Sequence, residues 1–365
     1  MKNGKKILLY PALTLIALYF LFTGLVKAES FLVPLVTAMV LAFLMFPVTN
    51  RLEKWGLNKV LATLTSILIL IIVIATYVTI ILSQIKGFAD DWEEIQMRLE
   101  ETIDEISEYL VENTPLEKEH LNVFTRDKEN NKLDDGTLQN PGSHRRQALT
   151  MMGALFGFLT RLLIIIVYIF LIIHFRYRFK EFILRFFPDD KRDEVASIIS
   201  SSSSVSRRYL AGKLLLMVFL TILYFTGLVI SGLENALLIS LIAAALSIIP
   251  VVGNFIGYCL ALAVSLVTTG GMGTLIGITL TFAIAQIIDT YILQPIVLGD
   301  KLDVHPFFII LSVILGYEIW GIMGMVLSIP VFAMVTVVCR HVPVLNPFGY
   351  LFSKGNVEPP GDETG

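Results

Sequence analysis

Apolar residues along this chain fall in long uncharged runs. They lack the period of 2 that marks a half-buried strand and the period of 3.6 that marks a surface helix. At 1.5 Å per residue, a helix needs about 20 apolar residues to cross a hydrocarbon core of about 30 Å. Ile7 to Val26, Phe31 to Val48, Val60 to Leu82, Phe156 to Phe175 and Leu214 to Ile230 meet that test. The first run follows Lys2, Lys5 and Lys6, and its 20 residues exceed a secretory leader's apolar stretch, so it reads as a retained helix. Arg161 sits near one end of the fourth run, where a long side chain reaches the interface.

Beyond Ile230 the runs shorten and break. Ala236 to Ile249 has 14 residues, Pro250-Val251-Val252-Gly253-Asn254 follows, and Phe255 to Thr269 adds 15. Thr274 to Leu293 is a full span that carries Gln286 and Asp289 and ends at Gln294-Pro295, with Gly299 beyond. Phe307 to Leu315, a break from Gly316 to Gly321, and a run through Gly324 and Pro330 to Cys339 form a second interrupted element. Half-length helices around Pro and Gly predict re-entrant hairpins, one entered from each side, as an inverted repeat. Two complete crossings in place of each hairpin give the same parity, so both arrangements stand at this level.

Between the third and fourth runs the pattern changes. Ile85, Phe88, Trp92, Ile95, Leu99, Ile103, Ile106 and Leu110 recur at spacings of 3 and 4, a heptad-like stripe on an acidic helix that must bury against its own membrane domain or a second copy. From Asn113 to Arg146 no apolar period survives, which predicts a mobile polar loop. Asp189 or Asp190, after Pro188, is placed to cap a cytoplasmic helix whose serines, Ser200 to Ser204, form a polar face.

Composition agrees with a membrane protein. Of 365 residues, 55% are hydrophobic and 16% charged, against about 25% charged in soluble chains, and the mean hydropathy is +0.74. A net charge of −3 gives no reason to expect nucleic acid as a partner. Lys and Arg stay cytoplasmic near short loops. Arg51, Lys54 and Lys59 mark one such loop, and Arg176 to Lys213, with nine basic and five acidic residues, marks another. Ser83 to Thr150, with eight basic and 16 acidic residues, is assigned to the exterior. Both termini are then cytoplasmic. Cys259 and Cys339 lie in apolar runs and read as buried free thiols.

The candidates for chemistry follow from cost. A carboxylate within a spanning helix costs about 2.5–3.5 kcal/mol on insertion scales, so Asp289 is expected to face a cavity or a partner. Gln286, three residues earlier, shares its helix face and is expected to serve the same ligand or water. Glu318 is placed at the tip of the second hairpin, and Asn254 holds the equivalent place in the first. Pro250, Gly253, Gly257, Pro295, Gly299, Gly321, Gly324 and Pro330 are the expected hinge and close-approach positions. His305, before Pro306, reads as polar surface. No Walker A run, GxSxG or HExxH occurs, so the chain is read as a non-enzyme without cofactor or metal, H+ or Na+ being the candidate coupling ions.

Ile249-Pro250-Val251-Val252-Gly253-Asn254-Phe255-Ile256-Gly257, Gln286-Ile287-Ile288-Asp289, Gln294-Pro295-Ile296-Val297-Leu298-Gly299, Gly321-Ile322-Met323-Gly324 and Ile329-Pro330 together resemble, in order, the AI-2E family of bacterial membrane transporters. The Pro34 to Pro47 helix with its basic turn near Gly56, and Tyr209-Leu210-Ala211-Gly212-Lys213, extend the resemblance over nearly the whole membrane part. It implies a multi-pass protein of the bacterial inner membrane and a pentameric homo-oligomer. It also implies export of the signal autoinducer-2, or sodium or lithium/proton antiport, with an acidic residue where Asp289 stands.

The expected architecture is an all-α polytopic membrane protein of about eight apolar elements. Three N-terminal helices occupy residues 1–82 and an extracytoplasmic segment 83–150. The fourth helix and a basic cytoplasmic helix occupy 151–213, a transport core with broken helices 214–340, and a cytoplasmic tail 341–365. The leading expectation is a secondary transporter or exporter of a small solute, with cation/proton antiport as the alternative. An oligomeric scaffold in envelope assembly, suggested by the heptad-like stripe, is a further reading from another class. A small polar organic molecule and a cation suit Asn254, Gln286 and Asp289 equally.

Overall fold

A computed structural model describes residues 2–90, 141–249, 252–268, 271–299 and 303–355. The heptad-like stripe beyond Asp90 and most of the polar stretch from Asn113 lie outside the described residues. Among those residues there is no strand. The long helices are α1 (Lys2–Lys27), α2 (Glu29–Lys54), α3 (Lys59–Asp90), α4 (Pro141–His174) and α6 (Arg192–Ile230), with the short α5 (Arg176–Leu184) between α4 and α6. Next come α7 (Ala236–Leu246), α8 (Val252–Thr268), α9 (Met272–Ile288), a π turn (Asp289–Leu293) and α10 (Gln294–Val297). The chain closes with α11 (Pro306–His341) and α12 (Asn346–Phe352). Among the described residues, six helical stretches are long and apolar enough to cross a membrane: Glu29–Lys54, Lys59–Ile85, Phe156–His174, Asp189–Ile230, Met272–Val297 and Pro306–His341. An apolar bilayer offers the backbone no hydrogen-bond partner, and helices satisfy every amide internally.

The chain folds as two compact units. One takes the described residues of Met1–Ile74, Ile164–Met217 and Asp289–Gly365. Its core joins Ala38, Ala42 and Met45 of α2 to Ile67 and Leu70 of α3 and to Ile169 and Ile173 of α4. Inside that apolar contact the Thr49 hydroxyl donates to Ser66 Oγ at 2.8 Å. At the basic ends of these helices Arg176 pairs with Glu53 at 2.7 Å. The Trp320 indole N–H donates to the Leu25 carbonyl at 3.0 Å, tying α11 to α1.

Within this unit α11 is a helical hairpin. The backbone leaves helical geometry at Trp320 (φ −137, ψ 23) and Gly321 (φ 59, ψ −142). Phe308 and Phe332, which a straight helix would hold about 36 Å apart, stack with centroids 6.2 Å apart, and the backbones of Gly316 and Gly324 touch. The turn therefore falls after Glu318, which is exposed on the first arm and does not form the tip. α12 covers the base of the hairpin: the Phe352 ring meets Phe308 at 4.9 Å and Phe332 at 5.0 Å. Its carbonyl accepts from the His305 N–H at 2.7 Å. His305 is exposed, as expected, and its ring accepts from the Phe307 N–H and caps α11. Asp303 pairs with Arg340 and accepts the Lys354 N–H at 3.0 Å.

The second unit comprises the described residues of Ala75–Leu163 and Val218–Ile288. Its core brings Leu220, Tyr224 and Leu228 of α6 against Ile239, Ala243 and Ala244 of α7, Ala261 of α8, and Ile278, Phe282 and Ala285 of α9. Tyr224 stacks on Phe282 at 4.6 Å, and the Tyr77 hydroxyl donates to the Leu241 carbonyl at 2.7 Å. α7 and α8 form the other hairpin; the first arm ends at Leu246, three residues before the expected Ile249, and the second begins at Val252, three residues before the expected Phe255. Its 11-residue first arm is about 16 Å long, half the depth of a hydrocarbon core. Gly257 packs on Ala243, and Gly253 lies so close to the Leu246 carbonyl that a Cβ there would overlap it. Asn254 is therefore in the first turn of α8, a position unlike that of Glu318. Cys339 is buried as expected, whereas Cys259 is exposed on α8.

Gly253→Ala is expected to force the first hairpin apart and cost about 1–3 kcal/mol of stability. Thermal unfolding in detergent checks this, with Gly273→Ala as control, since a Cβ at Gly273 meets nothing within 4 Å. Equal midpoints for the two variants would show that the hairpin does not depend on that contact.

Candidate functional site

Asp289 opens a π turn, and the sequence around it explains why. Pro295 has no N–H and its ring crowds the carbonyl of Tyr291, four residues earlier, so a regular α-helix cannot pass through this point unaltered. The chain responds by widening one turn over Asp289–Leu293 and then resuming helix as α10, with Pro295 near its start. The helix thus continues past Gln294-Pro295, where a break was expected, and stops before Gly299 at φ +48. Single widened turns of this kind recur at functional sites because they redirect side chains.

The redirected side chain is a buried carboxylate. Asp289 is 3% exposed. Its Oδ2 accepts from the Gln294 side-chain amide at 2.8 Å, and its Oδ1 has no hydrogen-bond partner. Lys213 of α6, in the same unit, is 8% exposed, and its ammonium feels the Asp289 charge. Gly212 brings α6 that close: a Cβ there would fall 2.7 Å from Leu298 Cδ2, beside the end of α10. Lys213 and Asp289 are thus two opposite charges within one apolar interior, where charge acts at longer range than in water. The free Oδ1 offers lone pairs to a donor or a cation.

Gln286 lies in the other unit, where its Oε1 accepts from Asn254 Nδ2 at 2.6 Å. Asn254 and Gln286 form their own amide pair, with Asn254 Oδ1 buried and unpartnered. Of the expected hinge positions, Gly253 and Gly257 line the α7–α8 crossing, Gly321 makes the α11 turn and Gly324 packs on Gly316. Pro330 is buried in the second arm of α11, and Pro250 lies outside the described residues.

Sequence reasoning passed over Lys213 and Gln294. Lys213 was counted among the basic residues of a cytoplasmic loop. The signal that separates it from them is its place on the stripe with Tyr209, Leu216 and Leu220, all buried.

The AI-2E family transporter model matches residues 8–343. Three relatives carry the name "Putative transport protein". YueF of Bacillus subtilis is 26% identical over 313 residues, 83% of this chain and 81% of the relative. MT0215 of Mycobacterium tuberculosis is 24% identical over 325 residues, 88% and 86% of the two chains. YrrI of Bacillus subtilis reaches 32% over 133 residues, 36% of this chain and 37% of that one.

Lys213→Met removes the positive charge that acts on Asp289 and is expected to cost about 0.5–3 kcal/mol. Adding Asp289→Asn should recover part of that loss, because the orphaned charge goes with it. Unfolding midpoints of the single and double variants check this. A Lys213→Met protein as stable as the parent would show that the two charges do not depend on each other.

Proposed function

The chain belongs to the AI-2E transporter family, and from that premise we propose that it is a secondary transporter of the bacterial cytoplasmic membrane, with Asp289 binding and releasing the coupling proton or monovalent cation. It is a multi-pass membrane protein of a transporter family. The observation that carries the finer reading is the Asp289 carboxylate, buried and half-satisfied, with the charge of a buried lysine acting on it from the same unit. A permanent ion pair would suit a purely structural role with all oxygens satisfied. The free Oδ1 leaves a coordination position for an arriving ion.

Coupling follows from competition. While Lys213 neutralises Asp289 the pair is electrically silent, which the apolar surroundings favour. When a proton or Na+ takes the carboxylate, Lys213 loses its counter-charge and must move, be hydrated or give up its proton, so ion occupancy and conformation are linked. The two helical hairpins support alternating access. α7 is about half a bilayer deep, and the arms of α11 meet at a turn. Both fit re-entrant elements of the kind that bring helix ends to the middle of a membrane. The Asn254–Gln286 amide pair, neutral and able both to donate and to accept, fits contact with a polar solute. Basic loop residues keep both termini in the cytoplasm.

Purified protein in sealed liposomes, with internal pH followed by a dye under imposed Na+ or Li+ gradients, tests the coupling. Proton movement tied to the cation, reduced to the level of protein-free vesicles in Asp289→Asn, is the expected result. Unchanged coupling in a folded Asp289→Asn protein would remove the site. No cation-linked proton movement in the parent protein would replace antiport with export of an organic solute.

A further inference from the structure

The stripe that carries Lys213 is polar for about three further turns toward the start of α6. Ser202, Ser206, Tyr209 and Lys213 are spaced by 4, 3 and 4, which at 3.6 residues per turn sets all four within about 60° of one another around the helix. From Leu216 onward the same stripe is apolar, so the polar track ends at the lysine. Arg207 and Arg208 leave the helix more than about 100° away from it. Along this track the hydroxyls are unusual. Thr37, Thr63 and Ser66 each donate to the carbonyl four residues back, the ordinary way to satisfy a helical hydroxyl. Ser206, at 0% exposure, and the buried hydroxyl of Ser202 have no partner at all. Asp289 Oδ1, at the far end of the track, is a third buried polar atom without one.

What covers the track is also on view. Tyr209 and Val205 pack with Val313, Ile329 and Ala333, residues from both arms of the α11 hairpin, and with Val304. Buried hydroxyls left unpaired are costly, and the cost disappears once water or an ion reaches them. A packing face that is unsatisfied when shut and satisfied when wet is the surface of a passage that opens.

We infer that Ser202 and Ser206 line the route by which water and the coupling ion reach Asp289 and Lys213, and that the α11 hairpin closes this route in the arrangement seen here. The inference rests on Asp289 being the coupling site. The route is about 16 Å long, the rise of α6 from Ser202 to Lys213. Neutral hydroxyls suit it, because they offer lone pairs to a cation or a proton-bearing water without holding either as a fixed carboxylate would.

The test is cysteine accessibility in liposomes, in a Cys259→Ala, Cys339→Ala background with each variant checked for a monodisperse oligomer by size exclusion. Ser202→Cys and Ser206→Cys are treated with a small charged methanethiosulfonate during an imposed Na+ gradient. Leu215→Cys, on the exposed apolar surface of α6, serves as the control. Both serine-site thiols are expected to react faster than the control, to do so more slowly without a gradient, and to lose cation-linked proton movement once modified. If neither reacts faster than Leu215→Cys while Asp289→Asn still abolishes coupling, the route is wrong and the coupling site stands. If the serine-site thiols react but coupling survives Asp289→Asn, both the coupling site and the destination of the route are overturned.

Discussion

A carboxylate in an apolar helical interior is costly wherever it lies, and Asp289 is 3% exposed in the same unit as Lys213, whose ammonium feels its charge. Pro295 obliges the helix to widen over Asp289–Leu293, and Gly212 lets α6 close on Leu298. Only Gln294 contributes a hydrogen bond to the carboxylate among the described residues, and one oxygen stays free. The carboxylate is therefore buried without a saturated network around it.

Each unit is built around a helical hairpin. In α11 the two arms pack through Gly316, Gly324 and the stacked Phe308 and Phe332, while Trp320 fastens the turn to Leu25 of α1 and α12 sits across the base. The hairpin is anchored at both ends and packs against a polar stripe of α6 with orphaned hydroxyls. In the other unit the α7–α8 crossing depends on Gly253 and Gly257, and the amide pair of Asn254 and Gln286 sits at its edge.

Much of the fold was legible because the bilayer leaves few solutions. Runs such as Val60 to Leu82 had to be helices, and the Pro and Gly clusters near 250 and 316–321 had to interrupt them. The same local rules fell short at two residues. Glu318 was taken for a tip residue because the Gly316–Gly321 stretch looked wholly broken, whereas the helix holds until Trp320. Lys213 was read as one more positive charge near a membrane end, since a count of loop charges does not distinguish a solvated lysine from a buried one.

By itself the sequence determined that this is an all-α membrane protein, where its helices are interrupted, and that Asp289 is its most costly residue. Each of these depends on composition within a window of about 20 residues. Only the tertiary structure decided what stands opposite Asp289, that Asn254 pairs with Gln286, and that Ser206 is buried without a partner. Those facts are contacts between residues far apart in the chain. They are set by which helix faces meet and by the one turn that widens ahead of Pro295, and no local pattern encodes either.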